Sequence, residues 1–330
     1  MLDRRRFVKL AAAGSVGALA AGCKREPSRW DSRSFDLPLS SRTAILPQAD
    51  YGDVLADTVQ RGIRMFDLDV RGRKVLLKPN LVEFDPDGVI NTHPALVAAA
   101  VEAFRRLGAG SVVVAEGPGH RRDNDYLLSA SGLAYALRDA GAEYVDLNTD
   151  DVRSVRLRSS FTSLGSLYLP RTVLDADLLV SMPKLKTHKW AGATLSMKNL
   201  FGIVPGAVYG WPKNVLHWHG VGNSIVDINA ALDVPRFNIV DGITGMEGNG
   251  PIQGDARHSG VLVFGRDPVA VDATCARLMR IDPAQLSYLR DAGEFLGNAD
   301  EARIEQIGES IAKYEQDYRV IERLATVKLS

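Results

Sequence analysis

Lys74-Val75-Leu76-Leu77-Lys78-Pro79-Asn80 decides the fold. Three consecutive apolar residues stopped by a Pro-Asn turn predict a short buried strand. Downstream, Thr92 is placed to cap a helix that has Pro94 in its first turn and runs to Leu107, with Gly108 and Gly110 closing it. Ser111–Ala115 is again apolar and leads into Glu116-Gly117-Pro118-Gly119. A second helix is predicted over Leu127–Ala140, and a third strand over Glu143–Leu147. Strand, helix, strand, helix, strand is the pattern of a parallel sheet with helices packed on it. The fold class is therefore α/β, with a mostly parallel sheet, helices on both faces and added antiparallel strands.

Further strands are predicted at Asp177–Met182, Phe237–Val240, Val261–Phe264 and Arg303–Ile307, and an added strand pair within 150–171. Helices are predicted at Gly222–Leu232, Pro268–Met279 and Ala284–Ala292. Between the strands at 237–240 and 261–264 lies a glycine-rich stretch, Asp241–Gly254, which reads as a loop. The reading gives an export signal over 1–22, a tether over 23–50, one large α/β domain over 51–310 and a tail over 311–330.

The export signal rests on Asp3-Arg4-Arg5-Arg6-Phe7-Val8-Lys9, followed by an apolar run from Leu10 to Gly22 too short to span a bilayer comfortably. Paired arginines ahead of Phe and Lys resemble a twin-arginine signal. Ala20-Ala21-Gly22-Cys23 resembles a lipoprotein processing box, with Cys23 as the lipidated residue. The expected location is the periplasm, held at the membrane by that lipid. Removing residues 1–22 takes away four bases and one acid, leaving 36 and 39 and a formal charge of −3. That balance excludes a generally basic nucleic-acid binder. Besides Cys23, the chain has one cysteine, Cys275, in an apolar helix pattern. One thiolate cannot hold an iron–sulfur cluster, so this chain alone carries none.

Against that neutral background, residues 178–226 stand apart. They contain Lys184, Lys186, Lys189, Lys198 and Lys213 with His188, His217 and His219, and no Asp, Glu or Arg. A local positive field points to an anionic small-molecule partner. Lysines rather than arginines suggest point charges whose pKa can be tuned. In an open parallel sheet, ligands bind at the carboxyl ends of strands. Lys78 and Asn80, Glu116, Lys184, Lys186 and His188, and Asp241 and Glu247 all follow predicted strands, so they are expected to share one rim.

The roles then divide by chemistry. Lys184, Lys186, Asp241 and Glu247 are the candidate catalytic groups. Lys78, Asn80, His188, Lys198 and Asn199 are the candidate cofactor-binding groups. Asp241 and Glu247 are also the candidate ligands of a divalent metal; the cofactor itself stays unknown. His217 and His219 would share a face if extended, but two imidazoles do not make a metal site. The Trp/His segment at 206–220 is the candidate surface for a membrane redox partner.

Taken together, Lys78-Pro79-Asn80, Pro183-Lys184-Leu185-Lys186-Thr187-His188, Lys198-Asn199-Leu200-Phe201-Gly202, Asp241-Gly242-Ile243, Glu247-Gly248-Asn249-Gly250-Pro251 and Asp267-Pro268-Val269-Ala270-Val271-Asp272 resemble the domain-of-unknown-function 362 family over about residues 70–285. Members are often joined to ferredoxin-like segments with cysteine-bound clusters. The resemblance therefore implies redox or cofactor chemistry for some members, from which this chain departs by lacking those cysteines.

If Cys23 carries lipid, Cys23→Ser shifts the full-length protein from the membrane fraction to the soluble periplasmic fraction. Fractionation with mass analysis of the mature N-terminus checks this, and an unchanged membrane share would rule lipidation out.

Overall fold

A computed structural model describes residues 28–119 and 123–329. The expected signal peptide and Cys23 lie outside the described residues. Twelve strands are present among them: β1 (Ser41–Pro47), β2 (Lys74–Pro79), β3 (Ser111–Glu116), β4 (Glu143–Asp146), β5 (Val152–Arg156), β6 (Ser166–Pro170), β7 (Leu178–Met182), β8 (Lys184–His188), β9 (Gly192–Thr194), β10 (Arg236–Asn249), β11 (Gln253–Gly265) and β12 (Ile304–Gly308). The main sheet runs β12-β1-β11-β10-β7-β2-β3-β4, with β8 pairing β10 and carrying β9. β10, β7, β2, β3 and β4 are parallel neighbours. Antiparallel pairing enters through β1 with β11, β10 with β11, and β8 with β9. β5 and β6 form a separate antiparallel pair.

Strand side chains alternate between the two faces, and the core divides accordingly. Val75 and Leu77, Val112 and Val114, and Leu178, Val180 and Met182 join one apolar cluster with the helices Leu55–Arg64, Pro94–Arg106 and Leu133–Asp139. Leu76, Ala115 and Leu179 point the other way, into a cluster with the helices Val221–Ala230, Pro268–Leu278 and Ser287–Gly293. This is why the strands read as unbroken apolar runs: both faces are covered. Lys78 continues the parity of Leu76 and sits at the carboxyl end of β2, opposite Ser181 of β7.

Several sequence expectations need correction. The segment read as a tether contains β1, wedged between β11 and β12, with Ala44 and Ile45 fully buried. The helix expected over Leu127–Ala140 is two, Asn124–Ala130 and Leu133–Asp139, broken where Gly132 takes φ +77°. Thr92 caps nothing. Its hydroxyl donates to Met182 O and accepts from Asn80 N, while the His93 ring accepts from Ala95 N at 3.2 Å and caps the helix.

The largest correction concerns Asp241–Gly254, which is not a loop. It is the distal part of β10, the turn and the first residues of β11 in one long hairpin, with an irregular register between Gly242 and Thr244. Its glycines serve backbone approach. A Cβ on Gly245 would lie 2.5 Å from both Leu185 O and the Tyr318 hydroxyl, and one on Gly250 would lie 2.0 Å from Thr187 O. The expected tail also belongs to the core: Tyr318 is fully buried, and its hydroxyl lies 2.7 Å from Ser259 Oγ under the hairpin.

Gly62 shows how tightly helix and sheet meet. A Cβ there would lie 2.5 Å from the Phe264 ring. Gly62→Ala should gain about 1 kcal/mol of helix propensity and lose about 1–3 kcal/mol to overpacking. The expected result is a lower urea midpoint with an unchanged slope; a rise in the midpoint would contradict this packing.

Candidate functional site

The carboxyl ends of β2 and β3 carry a buried ion pair. Lys78 Nζ meets Glu116 Oε2, and both side chains are essentially inaccessible to solvent. The ammonium also donates to Asn199 Oδ1 at 3.0 Å and to Pro79 O at 2.9 Å. Glu116 accepts in turn from Gly117 N at 3.0 Å and Leu81 N at 3.3 Å. Asn199 donates from Nδ2 to Lys78 O and to Ser181 Oγ, each at 3.0 Å. Every charge and amide here has a partner, as buried polar groups require. Gly202 closes against the pair: a Cβ there would come within 2.1 Å of Glu116 Oε1 and 2.7 Å of Lys78 Nζ.

Asn199 and Lys198 are placed by the short helix Ser196–Asn199. Its first amides are satisfied from a distance, by Asp272 on the helix Pro268–Leu278. The carboxylate accepts from Ser196 N at 2.7 Å and Met197 N at 3.0 Å. Burial nevertheless pushes the Asp272 pKa up to about 7.

Beside the ion pair opens a cavity of about 500 Å³. Its walls include Lys78, Lys186, Lys189, Lys198 and Lys213, and Glu116 is the one carboxylate among the described lining residues. Lys186 donates to Ile90 O at 2.7 Å and Pro251 O at 3.2 Å. Lys213 donates to Gly117 O, Gly202 O and Phe201 O at 2.6, 3.0 and 3.3 Å. Lys198 has no hydrogen bond among the described residues; its ammonium rests 4.2 Å from the centre of the Phe201 ring. His188 Nδ1 accepts from the amides of Trp190 and Ala191, both at 3.1 Å. That fixes the neutral tautomer with its proton on Nε2. Two buried lining groups, Asn80 Oδ1 and Thr194 Oγ1, have no partner among the described residues.

The electrostatics follow from burial. Desolvation brings Lys213 down to about 7, with Glu116 working in the opposite direction. Desolvation, then repulsion from Lys78, brings Lys198 to about 8. Lys186 falls well below its ordinary value through burial and then repulsion by Lys198. Burial also lowers His188 strongly, again with Lys198 the largest charge acting on it. These mutual effects mark one cluster of cations held out of water.

Of the residues chosen from sequence, the structure gathers Lys78, Asn80, Lys186, His188, Lys198 and Asn199 around this cavity. It does not gather the other three. Lys184 pairs with Asp241 at 2.6 Å in adjacent register of β8 and β10. That carboxylate also accepts from the Tyr51 hydroxyl at 2.8 Å and His93 N at 2.9 Å, so the cluster is saturated. Glu247 is taken by the tail, accepting from Arg319 Nε at 2.8 Å and Arg319 N at 3.0 Å. Asp241 and Glu247 are thus committed to different cations, Lys184 and Arg319. Among the described residues, no three His, Cys, Asp or Glu side chains gather to hold a metal ion. His217 and His219 are not extended neighbours: residues Asn214–Trp218 are helical, His217 lines the cavity and His219 reaches Ser163.

Sequence reasoning put Glu116 on the rim but missed its role as the partner of Lys78. It also passed over Lys213 and Thr194. Lys213 lay in the acid-free stretch and could have been chosen on that ground. Thr194 gave no signal; it reaches the cavity because β9 pairs it across from Lys186.

Lys198 and Lys213 bind fewer protons folded than unfolded between their folded values, about 8 and about 7, and the unfolded lysine value of about 10.4. Their contribution to stability therefore rises with pH across that interval. Ligand-free protein should gain denaturant resistance between about pH 7 and pH 10, and Lys198→Met should shrink the gain. A flat or falling curve in the parent protein would contradict the buried-cation arrangement.

Comparison with known proteins adds the following. A thylakoid-associated protein of Synechocystis sp. (strain PCC 6803) is 32% identical over 241 residues, covering 68% of each chain. Among solved structures, the lactate racemase apoprotein from Thermoanaerobacterium thermosaccharolyticum matches with a TM-score of 0.41 and 16% identity, over 68% of this chain and 56% of that one. A Thermotoga maritima protein matches with a TM-score of 0.34 and 10% identity, over 65% and 55%. The chain thus spans little more than half the length of those two structures. Residues 75–277, well over half the chain, match the family described as Domain of unknown function (DUF362), and the chain belongs to that family.

Proposed function

We propose that the cavity beside Lys78 takes a small anionic molecule or cofactor and that its lysines stabilise negative charge on it. One observation carries this reading: among the described residues, five lysines and one carboxylate line a single cavity. Lys78 is answered by Glu116. The remaining cations are met by carbonyl dipoles or an aromatic ring, which do not neutralise a charge. An anion entering here replaces water with fixed positive groups, and such groups also stabilise charge that develops in a reaction. The unpartnered Asn80 Oδ1 and Thr194 Oγ1 are ready contacts for hydroxyl and carbonyl groups of the guest. A binding protein would return that guest unchanged, whereas an enzyme would turn it over. A pure docking scaffold for a membrane redox complex, the remaining reading, has no use for such a cavity.

The proposal includes export by the twin-arginine route and anchoring through Cys23. The relative's name, thylakoid-associated, is in keeping with a place at a membrane. Trp218 is 78% exposed, a large aromatic of the kind that sits at bilayer surfaces. It adjoins His219, which touches Ser163. Ser160 of the same loop donates from N to Arg29 O at 2.7 Å, so Arg29, six positions after Cys23 in sequence, packs near this face. In this reading the lipid is the anchor, and among the described residues no helix is long and apolar enough to cross a membrane.

Calorimetric titration of the full chain with inorganic phosphate and with pyruvate tests the anion site. At least one should bind, with proton uptake near pH 8 as the anion restores charge to Lys198. Lys186→Ala and Lys198→Ala should each weaken binding about tenfold, or about 1.4 kcal/mol. Absence of binding by both anions, or indifference to both substitutions, would refute the site.

A further inference from the structure

The cavity lysines differ in one respect. Lys78, Lys186 and Lys213 each spend their ammonium on two or more hydrogen bonds within the protein. Lys198 has none among the described residues, only the face of Phe201, although it lines the same cavity. It is also less deeply buried than those three. A hydrogen-bonded lysine is a clamp. An unbonded one, dry on one side and open to a cavity on the other, has the surroundings of an amine nucleophile.

We propose that Lys198 forms an imine with the carbonyl carbon of a 2-oxo acid held in this cavity, an inference that rests on the anion-binding reading above. The neutral amine attacks the carbonyl carbon, forming the C–N bond while the carbonyl electron pair moves to oxygen. One proton passes from nitrogen to that oxygen to give a carbinolamine. Loss of the hydroxyl, which takes a proton from solvent or from a neighbouring ammonium, releases one water and leaves a protonated imine. No oxidant or reductant is required.

The walls match each need of that sequence. The carboxylate of a 2-oxo acid requires N–H donors, and Lys186, whose charge is disfavoured by burial and by nearby Lys198, regains it when that carboxylate binds. His188, fixed with its proton on Nε2, is a donor for the carboxylate or the carbonyl oxygen. Asn80 Oδ1, buried and unpartnered, is an acceptor for the carbinolamine hydroxyl, and Thr194 Oγ1 is a second polar contact. Burial and Lys78 also bring Lys198 to about 8, leaving about a tenth of it as free amine at neutral pH. A guest's negative charge raises that value, which is why the carboxylate must be held chiefly by Lys186 and His188.

Borohydride reduction of the full chain in the presence of pyruvate, with peptide mass mapping, is the test. The expected result is a stable adduct on the peptide containing Lys198, formed about tenfold or more faster than on exposed Lys313. Acetone, which has the carbonyl but no carboxylate, should label Lys198 far more slowly. Lys198→Arg should abolish the adduct while a thermal melt shows the fold retained. If phosphate or pyruvate binds by calorimetry but Lys198 stays unlabelled, or labels no faster than Lys313, the imine is overturned and the anion site stands. If neither anion binds and no adduct forms, both readings fall together.

Discussion

The pairing of Lys78 with Glu116 is the constraint around which the rest is arranged. Each is a full charge taken out of water, which costs several kcal/mol per ion. Coulomb attraction offsets that cost only if the remaining donors and acceptors are also satisfied. The protein meets this condition with Asn199, the amides of Gly117 and Leu81 and the carbonyl of Pro79. Each demand fixes another element. Asn199 must arrive on a helical turn whose amides Asp272 holds. Gly202 must lack a side chain, because Glu116 occupies the space one would fill.

A second consequence is electrostatic. One carboxylate balances Lys78, but nothing of opposite full charge balances Lys186, Lys198 or Lys213 among the described lining residues. Carbonyl dipoles hold two of them and an aromatic face holds the third. Their lowered pKa values express an unmet need for negative charge. Elsewhere the chain does neutralise its buried lysines: Lys184 has Asp241, backed by Tyr51 and His93. The two clusters sit on the same sheet, and only the one beside the cavity is left incomplete.

Much of this was legible in the sequence, and the failures have physical causes. The parallel strands were visible because a sheet covered on both faces writes unbroken apolar runs, as in Val75-Leu76-Leu77. Lys78, Asn80, Lys186 and His188 reach one cavity because ligands collect at the carboxyl ends of such strands, and Lys198 and Asn199 join them from the helix Ser196–Asn199. Lys184, Asp241 and Glu247 were misread because spacing along a chain does not reveal which cation an acid will meet. Arg319, which takes Glu247, lies 72 positions away in what looked like a tail. The hairpin was misread because glycine marks both loops and tight backbone contact. Only the nearness of Leu185, Thr187 and Tyr318 shows which applies at Gly245 and Gly250.

β1 and β12 lie side by side although they come from opposite ends of the chain. Synthesis proceeds from the amino terminus, so β1 emerges first and both its neighbours, β11 and β12, emerge late. For most of translation its Ala44-Ile45-Leu46 run is an apolar edge without a partner, the kind of segment that invites wrong pairing between nascent chains. Such an arrangement makes the arrival of β11 and β12 a condition for closing the sheet.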